Sequence, residues 1–223
     1  MIRYAKFKNI RARKLKAMKF SFLSISLIVV CGCLLLTGCF GASASPKGWS
    51  GPVVHDGSLY VGTMLGKVVA FDDIGSDGYH YMRWSYPDET AIPYFYSDPV
   101  IDGGSVYIGC YSGKVYVINA SRGYREWIYP SEGYLGAIVG SLAVAEGTMY
   151  FGSSDNKLYA VNIATRTQLS WSPFETDGKI WSTPVVYNGT VYVGSFDKKL
   201  YAIDAQTGNP RWAEPFEAGG AIV

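Results

Sequence analysis

A pattern that returns four times at nearly constant spacing limits this chain more than anything else in it. A turn glycine stands at Gly57, Gly104, Gly147 and Gly189, and a tyrosine with a glycine two places on follows each time, as Tyr60-Val-Gly62, Tyr107-Ile-Gly109, Tyr150-Phe-Gly152 and Tyr192-Val-Gly194. The copies open at Trp49, Tyr96, Val139 and Trp181, spaced by 47, 43 and 42 residues, and each closes on a tryptophan: Trp84, Trp127, Trp171 or Trp212. Self-similarity at such a period means that one supersecondary unit is stacked on copies of itself.

The fourth copy shows what the unit is. Thr183 to Tyr187 reads as a strand, Asn188-Gly189 as a hairpin turn, because both residues tolerate positive φ, and Thr190 to Gly194 as the returning strand. Phe196 to Lys199 turn the chain into a third strand, Leu200 to Asp204, and Ala205 to Gly208 lead into a fourth that ends at Trp212. In the third strand Leu200 and Ala202 face one way and Tyr201 and Ile203 the other, so both faces are apolar and each needs a covering layer. The pattern predicts an all-β fold, a β-propeller of four-stranded antiparallel blades at about 49–95, 96–138, 139–180 and 181–223. Gly220-Ala-Ile-Val223 repeats Gly136-Ala-Ile-Val139, which leads into copy three, so the four blades are expected to form a partial, open arc from a shortened protein; two chains completing one ring and four blades closing as a small propeller are the alternatives.

Residues 1–38 read as a targeting segment. Eight of the 20 basic residues lie between Arg3 and Lys19, an apolar stretch runs from Phe20 to Leu36, and small residues follow. Met18-Lys19 would open a compact signal of this kind by itself. From Cys39 onward, 12 basic residues face 18 acidic ones, a net charge of −6, which argues against a nucleic-acid partner. Residues 39–48, rich in Gly, Ala and Ser, read as a flexible tether, and 49–223 as the folded domain.

Few residues suggest chemistry. After Cys39 the only cysteine is Cys110, beside Gly109, and a small buried side chain is its expected role. Copy one has a longer loop before Trp84, with Asp72, Asp73 and Asp77, but their spacing matches no standard calcium loop. Tyr79, Tyr81, Tyr94, Phe95 and Tyr96 gather aromatics around this copy and form a candidate partner surface. The two histidines, His55 and His80, have no ligand or nucleophile spacing around them, and no acid, base and nucleophile set assembles.

The stretch Ala202-x-Asp204-x-x-Thr207-Gly208-x-x-x-Trp212 resembles the tryptophan-docking motif of the pyrroloquinoline-quinone (PQQ) repeat family. Copy two keeps Asn119, Gly123 and Trp127; copy three keeps Ala160, Asn162, Thr165 and Trp171 but lacks the glycine; copy one keeps Ala70, Asp72 and Trp84. The resemblance implies that Trp84, Trp127, Trp171 and Trp212 wedge between neighbouring blades, with Gly208 in the docking turn. Leu36-Thr37-Gly38-Cys39 resembles a bacterial lipobox, which implies that Cys39 is lipidated and the segment before it removed. A lipobox joined to such blades is similar to outer-membrane assembly lipoproteins of the BamB type. That similarity implies a non-catalytic, lipid-anchored module on the extracytoplasmic side of the cell envelope, without cofactor, that binds protein partners and meets the membrane through Cys39. The alternative is the N-terminal part of a quinoprotein dehydrogenase. Such enzymes hold their quinone beside a vicinal cysteine pair and a calcium bound by Glu, Asn and Asp, and no cysteine pair follows Cys39.

Overall fold

The computed structural model describes residues 50–63, 65–72, 79–87 and 94–223. The expected signal segment, Cys39, its tether, Trp49, Asp73 and Asp77 lie outside the described residues. Among the described residues every regular element is a β-strand, and the strands form four antiparallel sheets. Blade I contains β1 (Val53–His55), β2 (Ser58–Gly62), β3 (Val68–Asp72) and β4 (Met82–Tyr86); blade II contains β5 (Val100–Asp102), β6 (Ser105–Cys110), β7 (Lys114–Asn119) and β8 (Arg125–Tyr129). Blade III contains β9 (Ala143–Ala145), β10 (Thr148–Gly152), β11 (Lys157–Asn162), β12 (Thr167–Gln168) and β13 (Phe174–Glu175); blade IV contains β14 (Val185–Tyr187), β15 (Thr190–Gly194), β16 (Lys199–Asp204) and β17 (Phe216–Glu217). In blades I, II and IV neighbours in sequence are neighbours in the sheet, so each is a meander; blade III is the same meander with its edge split into β12 and β13, both paired with β11. The first hairpin of each blade turns on two residues with positive φ, Asp56-Gly57, Gly103-Gly104, Glu146-Gly147 and Asn188-Gly189, the turn whose twist matches that of its flanking strands.

The outermost strand is where the blades differ. In blades I and II the register slips by one residue, at Ala70/Phe71 and Val117/Ile118, so Arg83 and Glu126 are bulged and the ladder resumes with Trp84 and Trp127 inside the strand. In blade III the pair Val161 and Gln168 is followed by Leu158 and Phe174, and in blade IV Ile203 and Pro210 by Leu200 and Phe216. Three extra residues are looped out in each. The expectation of a fourth strand ending at Trp212 is therefore corrected: the blade IV edge strand is Phe216–Glu217, and Trp212 lies in the loop before it. Pro210 has no N–H to give a ladder, and the extra residues must bulge outward before the strand can rejoin its neighbour. In blade III the Ser172 hydroxyl accepts the Ala160 N–H at 2.9 Å, standing in for the interrupted ladder.

Both faces of the middle strands are apolar, and successive blades stack face to face in three cores. Tyr60, Val68, Ala70 and Trp84 of blade I meet Val106, Ile108 and Ile118 of blade II. Tyr107, Val115 and Val117 of blade II meet Met149, Phe151 and Val161 of blade III, and Tyr150, Leu158 and Ala160 of blade III meet Val191, Val193 and Ile203 of blade IV. Tyr60, Tyr107 and Tyr150 of the Tyr-x-Gly repeats pack against the following blade, and the glycine clears space for the chain that leads there. A Cβ on Gly109, Gly152 or Gly194 would stand 2.4, 2.0 or 2.2 Å from Cγ2 of Ile138, Ile180 or Ile222. The result is an open β-propeller arc. Its last blade turns Val185, Tyr187, Trp212 and Phe216 to solvent.

Candidate functional site

The corners between blades are built from the docking motif. At the end of β16, Asp204 Oδ1 accepts the amides of Gln206 and Thr207 at 3.0 and 2.8 Å and the Thr207 hydroxyl at 3.0 Å, and Asn162 and Asn119 close the same kind of turn in blades III and II. The next residue is left-handed in all three: Gly123, Arg166 and Gly208 have φ of 74°, 60° and 73°. The tryptophan of the preceding blade lies on this turn. Trp84 donates its indole N–H to the Ala120 carbonyl at 2.8 Å and Trp171 to the Ala205 carbonyl at 3.1 Å, and a Cβ on Gly123 or Gly208 would fall 2.6 Å from the ring above. Blade III has no glycine here, and the Arg166 guanidinium lies over Trp127 at 5.5 Å from its centroid.

Trp84 is 8% exposed, Trp127 and Trp171 are half-buried, and Trp212 is 38% exposed. Trp212 thus departs from the expectation of interblade burial. Among the described residues no following blade lies over it, and its ring meets Tyr192 at 5.9 Å within its own blade.

The five aromatics proposed as a partner surface do not form one. Phe95 is fully buried in the core between blades I and II, where it sits over Gly62 as the isoleucines sit over the other strand glycines. Tyr79 and Tyr81 lie at the end of blade I where the Tyr81 carbonyl accepts the Asp72 N–H, while Tyr94 and Tyr96 lie at the opposite end beside Tyr111. The whole of β4 runs between the two groups, a span of about 17 Å for five extended residues.

At that second end the structure gathers residues from every blade. Tyr96 packs on Tyr111 at 5.3 Å and Trp181 on Phe196 at 4.8 Å, at equivalent places in blades II and IV. Blade III has Val139 and Ser154 there, and Ser154 Oγ accepts the Trp181 indole N–H at 2.7 Å. Tyr94, Tyr111 and Phe196 are 37%, 47% and 36% exposed. Between Tyr96, Val139, Trp181 and Phe196 lies a cleft of about 610 Å³ with Asp98, Ser141 and Thr183 in its floor. These floor residues carry a relay: the Gly51 N–H donates to Asp98 Oδ1, the Asp98 N–H to Ser141 Oγ at 2.8 Å, and the Ser141 N–H to Thr183 Oγ1 at 3.1 Å. Each link joins the same repeat position in adjacent blades. Sequence reasoning missed the relay, although an oxygen-bearing side chain two places after each opening residue of copies two to four was its signal.

Titratable groups near this end serve structure. Burial pushes the Cys110 thiol up, and Ser112 donates its hydroxyl to the sulfur at 3.1 Å. Burial also pushes the Asp197 carboxyl up, but the Tyr201 hydroxyl at 2.7 Å and the Lys199 and Asp177 amides, each at 3.0 Å, outweigh it and hold Asp197 below the ordinary carboxylate range. A depressed native pKa gives stability that is complete above the unfolded value and is lost as pH falls through the folded one. Asp197→Asn is therefore expected to flatten the acid limb of a stability-against-pH curve, measured by urea unfolding; an acid limb identical to that of the unaltered protein would show that the carboxylate contributes nothing.

Among the described residues no three His, Cys, Asp or Glu side chains are placed to hold a metal. Cys110, the one cysteine among the described residues, is fully buried, so the described residues do not fit a quinone held by a cysteine pair and calcium.

The family model for outer membrane protein assembly factor BamB matches residues 41–220. The chain belongs to the BamB family. BamB from Moraxella catarrhalis is similar in fold, with 19% identity and a TM-score of 0.58 over 74% of this chain and 48% of that one. The computationally designed Ika8 protein gives 15% identity and a TM-score of 0.62 over 76% and 49% of the two chains. Quinohemoprotein alcohol dehydrogenase from Comamonas testosteroni gives 18% and 0.59 over 78% and 36%. The chain spans about half the length of the first two. No curated protein matches it. Membership in the BamB family and likeness to these propellers agree with four blades built on one repeat.

Proposed function

We propose that this BamB-family chain is a non-catalytic propeller scaffold on the extracytoplasmic side of the cell envelope, tethered through an acylated Cys39, that binds a protein partner with the blade ends carrying Tyr94, Tyr96, Tyr111, Trp181 and Phe196. The observation that carries this reading is the exposed aromatic pairing at one end of the arc around a wide cleft. Aromatic side chains offer large rigid contact area and dominate the energetics of protein interfaces. Family membership supports the scaffold role, and the side chains around the cleft do not form an acid, base and nucleophile set. Tethering by acyl chains holds a domain at the membrane without a spanning segment.

Two experiments test it. Metabolic labelling with an alkyne fatty acid should mark the unaltered chain and leave Cys39→Ser unmarked; a label that survives the substitution would remove the anchor. Co-purification from native membranes should lose the same envelope partner on Tyr111→Ala and on Phe196→Ala but keep it on Tyr79→Ala. Retention by both end-face variants would place the partner elsewhere.

A further inference from the structure

The relay in the floor of the cleft needs less than blade II supplies. Each link requires one oxygen that accepts the N–H of the preceding blade, and Ser141 Oγ and Thr183 Oγ1 do this as neutral hydroxyls, at 2.8 and 3.1 Å. At the same place blade II carries a carboxylate. Asp98 Oδ1 accepts the Gly51 N–H, while Oδ2 has no hydrogen-bond partner among the described residues. Unlike the unpartnered Oδ1 of Asp155, it is not closed to solvent. Among the described residues the ion pairs join other side chains, and no lysine, arginine or histidine lines the cleft. The charge of Asp98 is thus neither required by the relay nor answered within the cleft. Around it stand aromatic rings: Tyr96, packed on Tyr111, from blade II, and Trp181 with Phe196 from blade IV. Ring quadrupoles and a carboxylate attract the same thing, positive charge. Trp181 already draws a cation, for Lys179 Nζ lies over its ring at 5.6 Å, but Lys179 is an exposed residue outside the lining of the cleft.

We propose that the cleft receives an arginine side chain of the protein partner, its guanidinium lying against the aromatic rings and hydrogen-bonded to Asp98 Oδ2. The proposal rests on the end-face interface proposed above and names the chemistry that the interface selects. Charge complementarity decides the occupant. An apolar side chain would cover the rings but leave the carboxylate desolvated and unpaired, which is costly at an interface. An acidic one would be repelled by Asp98. Arginine suits the site better than lysine, because a guanidinium is planar, stacks on aromatic faces and is more weakly hydrated than an ammonium. The hydroxyls of Ser141 and Thr183, each already accepting one N–H, add oxygens to the same floor and no positive charge. The net charge of −6 from Cys39 onward favours the approach of a basic segment.

The test is a titration of the chain in mild detergent with N-acetyl-arginine amide and with its neutral isostere N-acetyl-citrulline amide, following the Trp181 indole N–H by NMR. The arginine probe should shift that resonance saturably, and the citrulline probe should bind about tenfold more weakly. Asp98→Asn keeps an oxygen for the Gly51 N–H and removes only the charge. It should weaken the arginine probe about tenfold as well, with the Trp84 and Trp171 indole resonances unmoved. No saturable shift, equal binding of the two probes, or an Asp98→Asn variant that binds arginine as the unaltered chain does would each overturn the proposal. Co-purification separates this from the interface on which it rests. Loss of the partner on Phe196→Ala with full retention on Asp98→Asn would strike the arginine and leave the end-face interface standing, whereas retention on both Tyr111→Ala and Phe196→Ala would strike the interface itself.

Discussion

Alanine in place of Trp84 is expected to lower the free energy of unfolding by about 3–5 kcal/mol, the range for emptying a buried aromatic site. The ring is 8% exposed, fills the corner between blades I and II above Gly123, packs near Tyr60 at 5.9 Å and satisfies the Ala120 carbonyl. Removing it forfeits apolar burial and the shorter of two hydrogen bonds to that carbonyl, which keeps the Tyr60 hydroxyl at 3.3 Å, so the cost is chiefly one of packing. Trp127 and Trp171 are half-buried, and their alanine variants should lose less. Trp212→Ala should lose least, about 1 kcal/mol, because its ring is 38% exposed and its ring contact is with Tyr192 of its own blade. Urea unfolding of the four variants gives the order directly. Equal losses at Trp84 and Trp212 would mean that the tryptophans do not work between blades.

Gly208→Ala is expected to cost about 2–5 kcal/mol, from left-handed strain of about 1–2 kcal/mol and overpacking of about 1–3 kcal/mol. At φ 73° a side chain is disfavoured whatever the space, and the added Cβ would fall 2.6 Å from Trp171, too close for the ring to stay. The fluorescence of Trp171 should therefore shift together with the loss of stability. Blade III shows the other way of filling this corner: Arg166 accepts the left-handed conformation at φ 60° and spreads its guanidinium over Trp127. A Gly208→Arg variant is consequently a sharper comparison than alanine, because it adds a cation–π contact to the same backbone strain. If Gly208→Ala unfolds at the same urea concentration as the unaltered protein, the close approach of blade IV to Trp171 is wrong.

What the sequence made legible was whatever the repeat spacing carries. The hairpin at Asn188-Gly189 and the strand Thr190–Gly194 fall where the turn chemistry put them, because a two-residue left-handed turn fixes the register of both its strands. The edge strand of blade IV did not. Trp212 marks the repeat, but Pro210 and the looped residues beyond it decide where pairing resumes, and spacing to a marker residue says nothing of a bulge. The aromatic cluster failed for a related reason. Phe95 and Tyr96 are adjacent in sequence, yet in an extended chain neighbours point opposite ways, so one enters the core and the other meets Tyr111 at the blade end. The end face itself was hidden because it is assembled from residues a full repeat apart, Tyr96 with Trp181 and Tyr111 with Phe196, which become neighbours only once the blades are stacked.

Hydrogen exchange of the indole N–H groups, followed by NMR, tests the central claim that Trp84 and Trp171 are held by the turn of the next blade. The Trp84 and Trp171 indoles should exchange as slowly as the backbone amides of β6, β10 and β15, since opening either hydrogen bond requires two blades to part. Fast exchange of both indoles while those strand amides stay protected would contradict it.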